Sequence, residues 1–205
     1  MIAVIDYGIG NLRSAQKALL KVGGDAELVS SLDEAKEVTG VVLPGVGAFG
    51  SCMRALKESR LDELVYDSIS REIPFLGICV GMQMLFDGSE ENPLSEGLKV
   101  LKGRSVKIEG DVKLPHMQWS QLNILDRSTL FNDLEQSSYM YFIHSYAIKF
   151  DETEGIDQIS LATTNYGMLI TAAVRKNNIF GVQFHPEKSG VKGLKLLENF
   201  VNMTR

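Results

Sequence analysis

The first part of the chain alternates between short apolar runs and longer amphipathic segments. Brief apolar runs at Ile2–Ile5, Ala26–Val29 and Val41–Leu43 are typical of buried strands. Between the first two runs, apolar residues recur at helical spacing from Leu12 to Val22, and Gly23-Gly24 ends that pattern. This order of strand, helix and strand predicts an α/β sheet whose strands are parallel.

The pattern changes after residue 97. A predicted helix from about Ser51 to Ser70 and an apolar strand at Pro74–Ile78 still follow the first pattern. Later residues form short, partly alternating runs that predict antiparallel hairpins. These runs are Leu98–Leu101, Val106–Ile108, Ser138–His144, Ile159–Ala162, Leu169–Val174 and Ile179–Phe184.

A last amphipathic segment, Gly190–Met203, predicts a closing helix. No repeat, low-complexity tract or linker interrupts the chain, so we expect one domain over residues 1–205. The predicted fold is an open, twisted, mixed α/β sheet of flavodoxin-like type. Its first half is parallel, its hairpin-rich second half is antiparallel, and helices cover both faces.

Composition narrows the classes of function. The 205 residues include 26 acidic and 21 basic ones, giving a net charge of −5 without any basic run, which argues against a nucleic-acid partner. No apolar stretch is long enough for a membrane span, and residues 1–6 are typical of a core strand rather than a signal peptide. Two cysteines without secretory signals predict a cytoplasmic protein with free thiols.

Cys79 stands between Gly77 and Gly81, directly after an apolar strand and before a helical pattern. This G-x-C-x-G spacing is the cysteine counterpart of the nucleophile elbow, in which small neighbours allow a strained turn. A helix N-terminus favours a thiolate, and the N–H of Val80 is placed to donate to an oxyanion. The alternative is a buried cysteine that acts as a small apolar residue, and this is our interpretation of Cys52, which lacks such glycines.

Two glycine patterns follow strands in the first part of the chain. Gly8-x-Gly10 invites a dinucleotide-binding interpretation, but Arg13 occupies the third glycine position and the second strand ends in Ser30-Ser31 without an acidic residue. We therefore expect no nicotinamide cofactor. The loop Pro44–Gly50 matches G-x-G-x-x-G, and its N–H groups could bind either a phosphate or a tetrahedral oxyanion.

His185-Pro186-Glu187 follows the apolar strand Ile179–Phe184. An extended backbone before proline places the His185 and Glu187 side chains on one side, where a carboxylate can orient an imidazole. The alternative is a packed histidine beside a solvated glutamate. His116 and His144 have no further metal ligands at helpful local spacing, so we expect no metal site. With Cys79, the pair predicts a Cys/His/Glu nucleophilic site.

Together, these motifs resemble the class I (triad-type) glutamine amidotransferases over nearly the whole chain. They are Gly77-Ile78-Cys79-Val80-Gly81-Met82-Gln83, His185-Pro186-Glu187 and Pro44-Gly45-Val46-Gly47. Four stretches look like the glutaminase subunit of imidazole glycerol phosphate synthase. They are Asp6-Tyr7-Gly8-Ile9-Gly10-Asn11-Leu12, Pro115-His116-Met117-Gln118-Trp119, Tyr141-Phe142-Ile143-His144-Ser145-Tyr146 and His185-Pro186-Glu187-Lys188-Ser189. Gln118 and Ser120 flank Trp119 where the family pattern is Gly-Trp-Asn.

The resemblance implies a glutaminase that acts through a cysteine thioester and needs no cofactor. Its catalytic triad would be Cys79, His185 and Glu187, with oxyanion donors at Val46, Gly47 and Val80. The residues implied in substrate binding are Gly47, Gln83, His144, Ser145 and Tyr146. Those implied in partner contact are Asn11, Trp119, Tyr141 and Lys188.

The implied partner is a (β/α)₈ cyclase subunit that forms a heterodimer with this chain. Ammonia would pass to that subunit, which makes imidazole glycerol phosphate and aminoimidazole carboxamide ribotide in histidine biosynthesis. Three other functions stay open at this point. They are an ammonia-donating glutaminase of another synthase, a cysteine-elbow hydrolase acting on peptides or small electrophiles, and a non-catalytic binding module.

Overall fold

The computed structural model describes residues 1–149 and 158–205, which contain five α-helices and fourteen strands. The helices are α1 (Leu12–Lys21), α2 (Phe49–Glu58), α3 (Asp62–Ser70), α4 (Val80–Met84) and α5 (Gly190–Met203). The first seven strands are β1 (Ile2–Ile5), β2 (Ala26–Val29), β3 (Gly40–Gly45), β4 (Phe75–Cys79), β5 (Gly88–Ser89), β6 (Asn92–Glu96) and β7 (Arg104–Lys107). The others are β8 (His116–Gln121), β9 (Asn123–Ile124), β10 (Tyr139–His144), β11 (Tyr146–Ile148), β12 (Gln158–Tyr166), β13 (Met168–Lys176) and β14 (Ile179–Val182). Short 3₁₀ turns lie at Leu32–Glu34, Thr129–Phe131 and Pro186–Lys188.

The main sheet has eight strands in the order β2-β1-β3-β4-β14-β13-β12-β9. Its first five strands are parallel neighbours, and the pairs from β14 to β9 are antiparallel. The prediction of a mixed α/β sheet with a parallel and an antiparallel part is confirmed. The hairpin-rich half also builds two smaller sheets, β10-β8 and β11-β7-β5-β6.

The register of the parallel strands brings three distant segments to one edge. Gly45 at the end of β3 is the partner of Cys79 at the end of β4. On the other side of β4, Val182 at the end of β14 pairs with Ile78, so His185 follows three residues beyond the sheet. Because ligands of open α/β sheets bind beyond the carboxyl ends of the strands, this edge is where a site is expected.

Two predicted elements were wrong. The helix expected from Ser51 to Ser70 is two helices, because Arg60 adopts a left-handed conformation (φ 59°) between α2 and α3. Apolar residues continue on both sides of the break, and only the five-residue step from buried Leu56 to buried Leu61 departs from helical spacing.

The strand expected at Leu98–Leu101 is a buried loop. The N–H groups of Leu98, Val100 and Leu101 donate to carbonyl groups of Met84 and Leu85, at the end of α4. The loop thus satisfies orphan carbonyl groups of a helix end, a pairing that no local pattern predicts.

Within residues 1–149 and 158–205, no helix has the length and apolar character needed to cross a membrane.

Candidate active site

Cys79 lies at a strained turn between β4 and α4. Its backbone has φ 55° and ψ −112°, a conformation rarely adopted by residues other than glycine. The side chain is 2% exposed and lines a cavity at the sheet edge. Strain of this kind persists only where the surroundings enforce it, and it concentrates at functional sites.

Three glycines are required by this turn. A Cβ atom on Gly81 would collide with the carbonyl oxygen of Leu43, and one on Gly77 would lie 2.8 Å from the carbonyl oxygen of Gly81. A Cβ on Gly45 would lie 2.6 Å from the nitrogen of Gly81. The spacing G-x-C-x-G therefore reflects close approach of β3 to the turn, as well as the shape of the turn itself.

His185 and Glu187 form a buried ion pair beyond β14. The Nδ1 atom of His185 lies 2.8 Å from Oε1 of Glu187, and the two side chains are 2% and 3% exposed. His185 has an extended backbone (φ −101°, ψ 95°), but Glu187 lies in the 3₁₀ turn Pro186–Lys188 rather than in an extended segment. The predicted contact therefore exists, although a tight turn makes it rather than strand periodicity.

Cys79 and Glu187 both change the pKa of His185. Burial by itself lowers the pKa of His185, but hydrogen bonding and charge interactions with Cys79 and Glu187 outweigh burial and raise it to about 10. Its Nε2 atom is buried and makes no well-aligned hydrogen bond within the described residues. The imidazole thus presents one nitrogen to the carboxylate and keeps the other available for a reacting group.

A cavity of about 520 Å³ brings most of the predicted site residues together. Its lining includes Cys79, His185, Val46, Gly47, Val80, Gln83, His144, Ser145 and Tyr146. Asn11 and Lys188, predicted for partner contact, line the same cavity, whereas Trp119 and Tyr141 do not. Glu91, Pro115 and Ile143 also line it and were not singled out by sequence reasoning.

Two hydrogen bonds from buried side chains hold the loop after β3 in place. The thiol of Cys52 donates to the carbonyl oxygen of Val46 at 3.4 Å, and the hydroxyl of Tyr7 donates to that of Pro44 at 2.8 Å. Because the peptide is planar and trans, the N–H of Gly47 points away from the Val46 carbonyl oxygen. Gly47 has φ +96°, and no atom lies within 4 Å of a Cβ built on it. The fully buried Cys52 is therefore a support of this loop.

Gln83 lines the cavity and hydrogen-bonds to Tyr146 and Gln183. Its Nε2 atom donates to the carbonyl oxygen of Tyr146 at 2.8 Å and to Oε1 of Gln183 at 2.9 Å. Gln183, which sequence reasoning missed, is fully buried, and its Nε2 atom lies 3.7 Å from Sγ of Cys79. In the sequence, Gln183 could have been noticed as the single amide side chain in the otherwise apolar run Ile179–Phe184.

His144 is paired with His116 behind the cavity. Nε2 of His144 lies 3.1 Å from Nδ1 of His116, and its Nδ1 lies 2.9 Å from the carbonyl oxygen of Tyr146. Burial lowers the pKa of His144 to about 3 and that of His116 to about 4. Both imidazoles are therefore neutral at physiological pH.

Glu91 adds a carboxylate to the cavity lining. Its Oε2 atom accepts a hydrogen bond of 2.7 Å from the N–H of Phe49, the first residue of α2. The carboxylate thus caps the helix that follows the Val46–Gly47 loop, and it lends the cavity a negative charge. Within the described ranges, no three His, Cys, Asp or Glu side chains cluster in a way that could hold a metal ion.

The β8-β10 pair exposes an aromatic surface. Trp119 is 50% exposed and stacks edge-on against Tyr141, with ring centroids 6.1 Å apart. Met117 and Tyr139 on the same two strands are also exposed. Exposed aromatic and methionine side chains in one patch are typical of protein interfaces.

Comparison with known proteins agrees with this arrangement. The model of the family "Glutamine amidotransferase class-I" matches residues 3–203. Two proteins named "Imidazole glycerol phosphate synthase subunit HisH" are similar over full length. The one from Oceanobacillus iheyensis is 44% identical and covers 100% of both chains, and the one from Bacillus subtilis is 44% identical, covering 99% of this chain and 96% of its own length.

A solved structure supports the fold. The structure entitled "Structure of PurLQS from Thermotoga maritima" covers 100% of this chain and 98% of its own, with a TM-score of 0.78 at 20% identity. The chain therefore belongs to the class-I glutamine amidotransferase family and, within it, to the family of imidazole glycerol phosphate synthase HisH subunits.

Proposed function

We propose that this chain hydrolyses glutamine to glutamate and ammonia as the glutaminase subunit of imidazole glycerol phosphate synthase. Ammonia passes to a (β/α)₈ cyclase subunit, which makes imidazole glycerol phosphate and aminoimidazole carboxamide ribotide in histidine biosynthesis. One observation carries the proposal. His185, which is paired with buried Glu187 at 2.8 Å, lines the same cavity as a cysteine held at a strained elbow.

The first half of the reaction forms a thioester. Cys79 gives its thiol proton to His185, its Sγ atom attacks the side-chain carbonyl carbon of glutamine, and the carbonyl π electron pair moves onto oxygen. When this oxyanion collapses, the carbon–nitrogen bond breaks and His185 gives its proton to the departing nitrogen, which leaves as ammonia. Glu187 keeps the imidazole in one orientation and stabilises its protonated form.

The second half regenerates the thiol. His185, now neutral, takes a proton from water as the water oxygen attacks the thioester carbon. The carbon–sulfur bond then breaks, the leaving sulfur takes the proton back from His185 to become a thiol, and glutamate is released. No redox partner is needed, since each step moves only protons and electron pairs.

Backbone N–H groups stabilise the two oxyanions. We assign this role to Val80 and to the loop residues Val46 and Gly47, all of which line the cavity. Removing one such donor typically costs about 10²–10³ in kcat. The orientation of the Val46–Gly47 peptide therefore governs the rate.

The remaining lining residues fit a small amino-acid substrate. We assign Gly47, Gln83, His144, Ser145 and Tyr146 to the walls that hold glutamine. Glu91 places a carboxylate on the same cavity, where it complements the α-ammonium group. Its bond to the N–H of Phe49 keeps that carboxylate in place.

The cyclase contact is assigned to Asn11, Trp119, Tyr141 and Lys188. Trp119 and Tyr141 supply an exposed aromatic pair, and Asn11 and Lys188 line the cavity from which ammonia must leave. We also infer a cytoplasmic location, because both cysteines are free and a nucleophilic thiol requires a reducing compartment.

The test compares two nitrogen sources in the assembled enzyme. Purified chain is combined with the cyclase subunit of the same organism and its nucleotide substrate, and imidazole glycerol phosphate is measured with glutamine or with ammonium salt. We expect Cys79→Ala to abolish the glutamine-dependent reaction and to leave the ammonium-dependent one unchanged. Cys52→Ala is the comparison variant: it keeps the nucleophile, so glutamine-dependent synthesis should persist, although loss of the Cys52–Val46 hydrogen bond should slow it.

Other outcomes would replace the proposal. Glutamine-dependent synthesis that survives Cys79→Ala would indicate a non-catalytic module. Glutamate release without any complex with the cyclase would indicate a glutaminase serving another synthase.

A further inference from the structure

Gln183 is a buried polar residue that the reaction steps above do not use. Its backbone N–H donates to the carbonyl oxygen of Ala172 at 2.9 Å, which anchors it to β13. Its side chain is fully buried and reaches Sγ of Cys79 through Nε2 at 3.7 Å. A buried amide is retained only where its hydrogen bonds are satisfied, so its position beside the sulfur calls for an explanation.

The orientation of the Gln183 amide is fixed by Gln83. Nε2 of Gln83 carries two hydrogens, which go to Oε1 of Gln183 at 2.9 Å and to the carbonyl oxygen of Tyr146 at 2.8 Å. Because Oε1 of Gln183 must accept, its Nε2 is the end that faces sulfur. Gln183 therefore presents a donor to the sulfur, and the thiol in turn donates to the carbonyl oxygen of Ile143 at 3.9 Å.

The carbonyl oxygen of Tyr146 also accepts a hydrogen bond from His144, which is itself bonded to His116. This oxygen can only accept, so Nδ1 of His144 donates to it at 2.9 Å. In the neutral imidazole, Nε2 of His144 is then an acceptor and takes the hydrogen of His116 Nδ1 at 3.1 Å. The Tyr146 carbonyl oxygen thus fixes the tautomer of His144, which in turn fixes that of His116.

This series of hydrogen bonds ends on strand β8. Nε2 of His116 accepts from the hydroxyl of Ser120 at 2.8 Å, and the Ser120 oxygen accepts from Nε2 of Gln118 at 3.2 Å. Gln118 is exposed on β8, next to Trp119. Stacking of His116 on Tyr166, with ring centroids 4.0 Å apart, fixes the plane of the middle ring.

We propose that Gln183 is a positioning residue for the nucleophile, oriented by Gln83 and the Tyr146 carbonyl oxygen, on which a second hydrogen-bond branch through His144, His116 and Ser120 also ends. Its N–H directs the sulfur toward the cavity and stabilises the thiolate by a charge-assisted hydrogen bond. The inference rests on the proposed function only in that Cys79 is the nucleophile.

The central test replaces the donor without changing the shape. Gln183→Glu keeps an oxygen for Gln83 but sets an acceptor against Sγ, whereas Gln183→Met removes both bonds at similar volume. In the full chain, we measure alkylation of Cys79 by iodoacetamide, and glutaminase kcat and KM in the assembled enzyme. We expect Gln183→Glu to lower both the alkylation rate and kcat about tenfold or more, with KM changed less than about threefold, the loss typical of a hydrogen bond to a charged group. Gln183→Met should show a smaller loss in the same direction.

Alkylation is read by mass spectrometry of tryptic peptides. Cys79 lies in residues 72–99 and Cys52 in residues 37–54, so each thiol is followed separately. Gln16→Glu is the control, because Nε2 of Gln16 donates to the carbonyl oxygen of Ala26 instead of a thiol. Folded Gln183→Glu and Gln183→Met proteins with alkylation rates and kcat values near those of the wild type would overturn the proposal. If Gln183→Glu does not fold, the alkylation rate and kcat of Gln183→Met test the proposal by themselves.

A second measurement tests the remote part of the chain. Nitrogen-15 NMR of the histidine rings should find Nδ1 protonated and Nε2 bare in both His116 and His144, and the opposite tautomers would overturn the assignment. Gln83→Met should slow Cys79 alkylation in the wild-type background but not further in Gln183→Met, since Gln83 acts on the sulfur through Gln183. Additive effects would contradict it.

These readouts separate the two hypotheses. Alkylation of Cys79 and the ring tautomers need neither glutamine turnover nor the cyclase. If Cys79→Ala kept glutamine-dependent activity, the proposed function would fail while the positioning of the thiol would still be measurable.

Discussion

At the scale of single residues, the chemistry depends on side chains held in conformations that cost free energy. Cys79 occupies a left-handed backbone region, and His185 and Glu187 are both nearly inaccessible to solvent. An isolated buried charge is costly, so His185 and Glu187 stabilise each other only while both are charged. The proton on His185 is therefore linked to the stability of the fold.

This linkage predicts a pH dependence that Glu187→Gln should alter. Because the folded-state pKa of His185 is raised to about 10, its contribution is complete below the unfolded value of 6.5 and is lost as pH rises through about 10. The wild type should therefore exceed Glu187→Gln in free energy of unfolding most at about pH 6, with the difference shrinking toward about pH 10. Urea denaturation across this range measures it, and a difference that stays constant or grows with pH would refute it.

At the scale of elements, the elbow and the loop after β3 use glycine for different reasons. Gly81 lies where a neighbouring strand leaves no room for a Cβ, whereas Gly47 has open space but a left-handed backbone. Steric collision with a buried strand cannot be relieved by a side-chain movement. Strain in an exposed loop is relieved by shifting the loop.

We therefore expect Gly81→Ala and Gly47→Ala to fail in different ways. Gly81→Ala should lower the free energy of unfolding by about 2–4 kcal/mol, because Leu43 cannot retreat. Gly47→Ala should cost only about 1 kcal/mol of stability but lower kcat, since the loop can no longer hold its N–H in place. Chemical denaturation and glutaminase assays measure the two effects.

Gly23→Ala supplies the control for this comparison. Gly23 has φ +81° after α1, and a Cβ there would meet only the flexible end of Arg205. It should share the modest stability loss of Gly47→Ala and keep full kcat. Equal loss of kcat in both variants would mean that the loop has no special role.

At the scale of the whole molecule, we assign the cavity at the sheet edge to glutamine and the β8-β10 surface to the cyclase. Asn11 and Lys188, which line the cavity, are also assigned to the cyclase contact. Trp119 is half exposed and packs mainly on Tyr141, so removing it leaves the core intact. Aromatic residues in such patches commonly carry much of the binding free energy.

Trp119→Ala should weaken the complex with the cyclase by about tenfold or more and change the free energy of unfolding by less than about 1 kcal/mol. Leu94→Ala is the control, because Leu94 is 96% exposed on β6, in a different sheet. Titration calorimetry of each variant against the cyclase measures affinity. An unchanged affinity for Trp119→Ala would place the interface elsewhere.

The sequence determined by itself the features that depend on local spacing. The strand–Gly–x–Cys–x–Gly–helix order predicted the elbow, because only small residues permit that turn. His185-Pro186-Glu187 likewise predicted the contact that the structure shows at 2.8 Å. The apolar runs also indicated that the second half has an antiparallel part, but Ile179–Phe184, which was included in that part, supplies β14, a parallel neighbour of β4.

Only the tertiary structure decided which distant residues meet. The loop at Leu98–Leu101, which bonds to the end of α4, and the amide of Gln183 beside Cys79 both depend on partners elsewhere in the chain. A periodic pattern indicates which residues are buried but not which residues they contact. Hydrogen bonds between remote buried groups form only after strands have found their register, so they are fixed by packing and not by spacing.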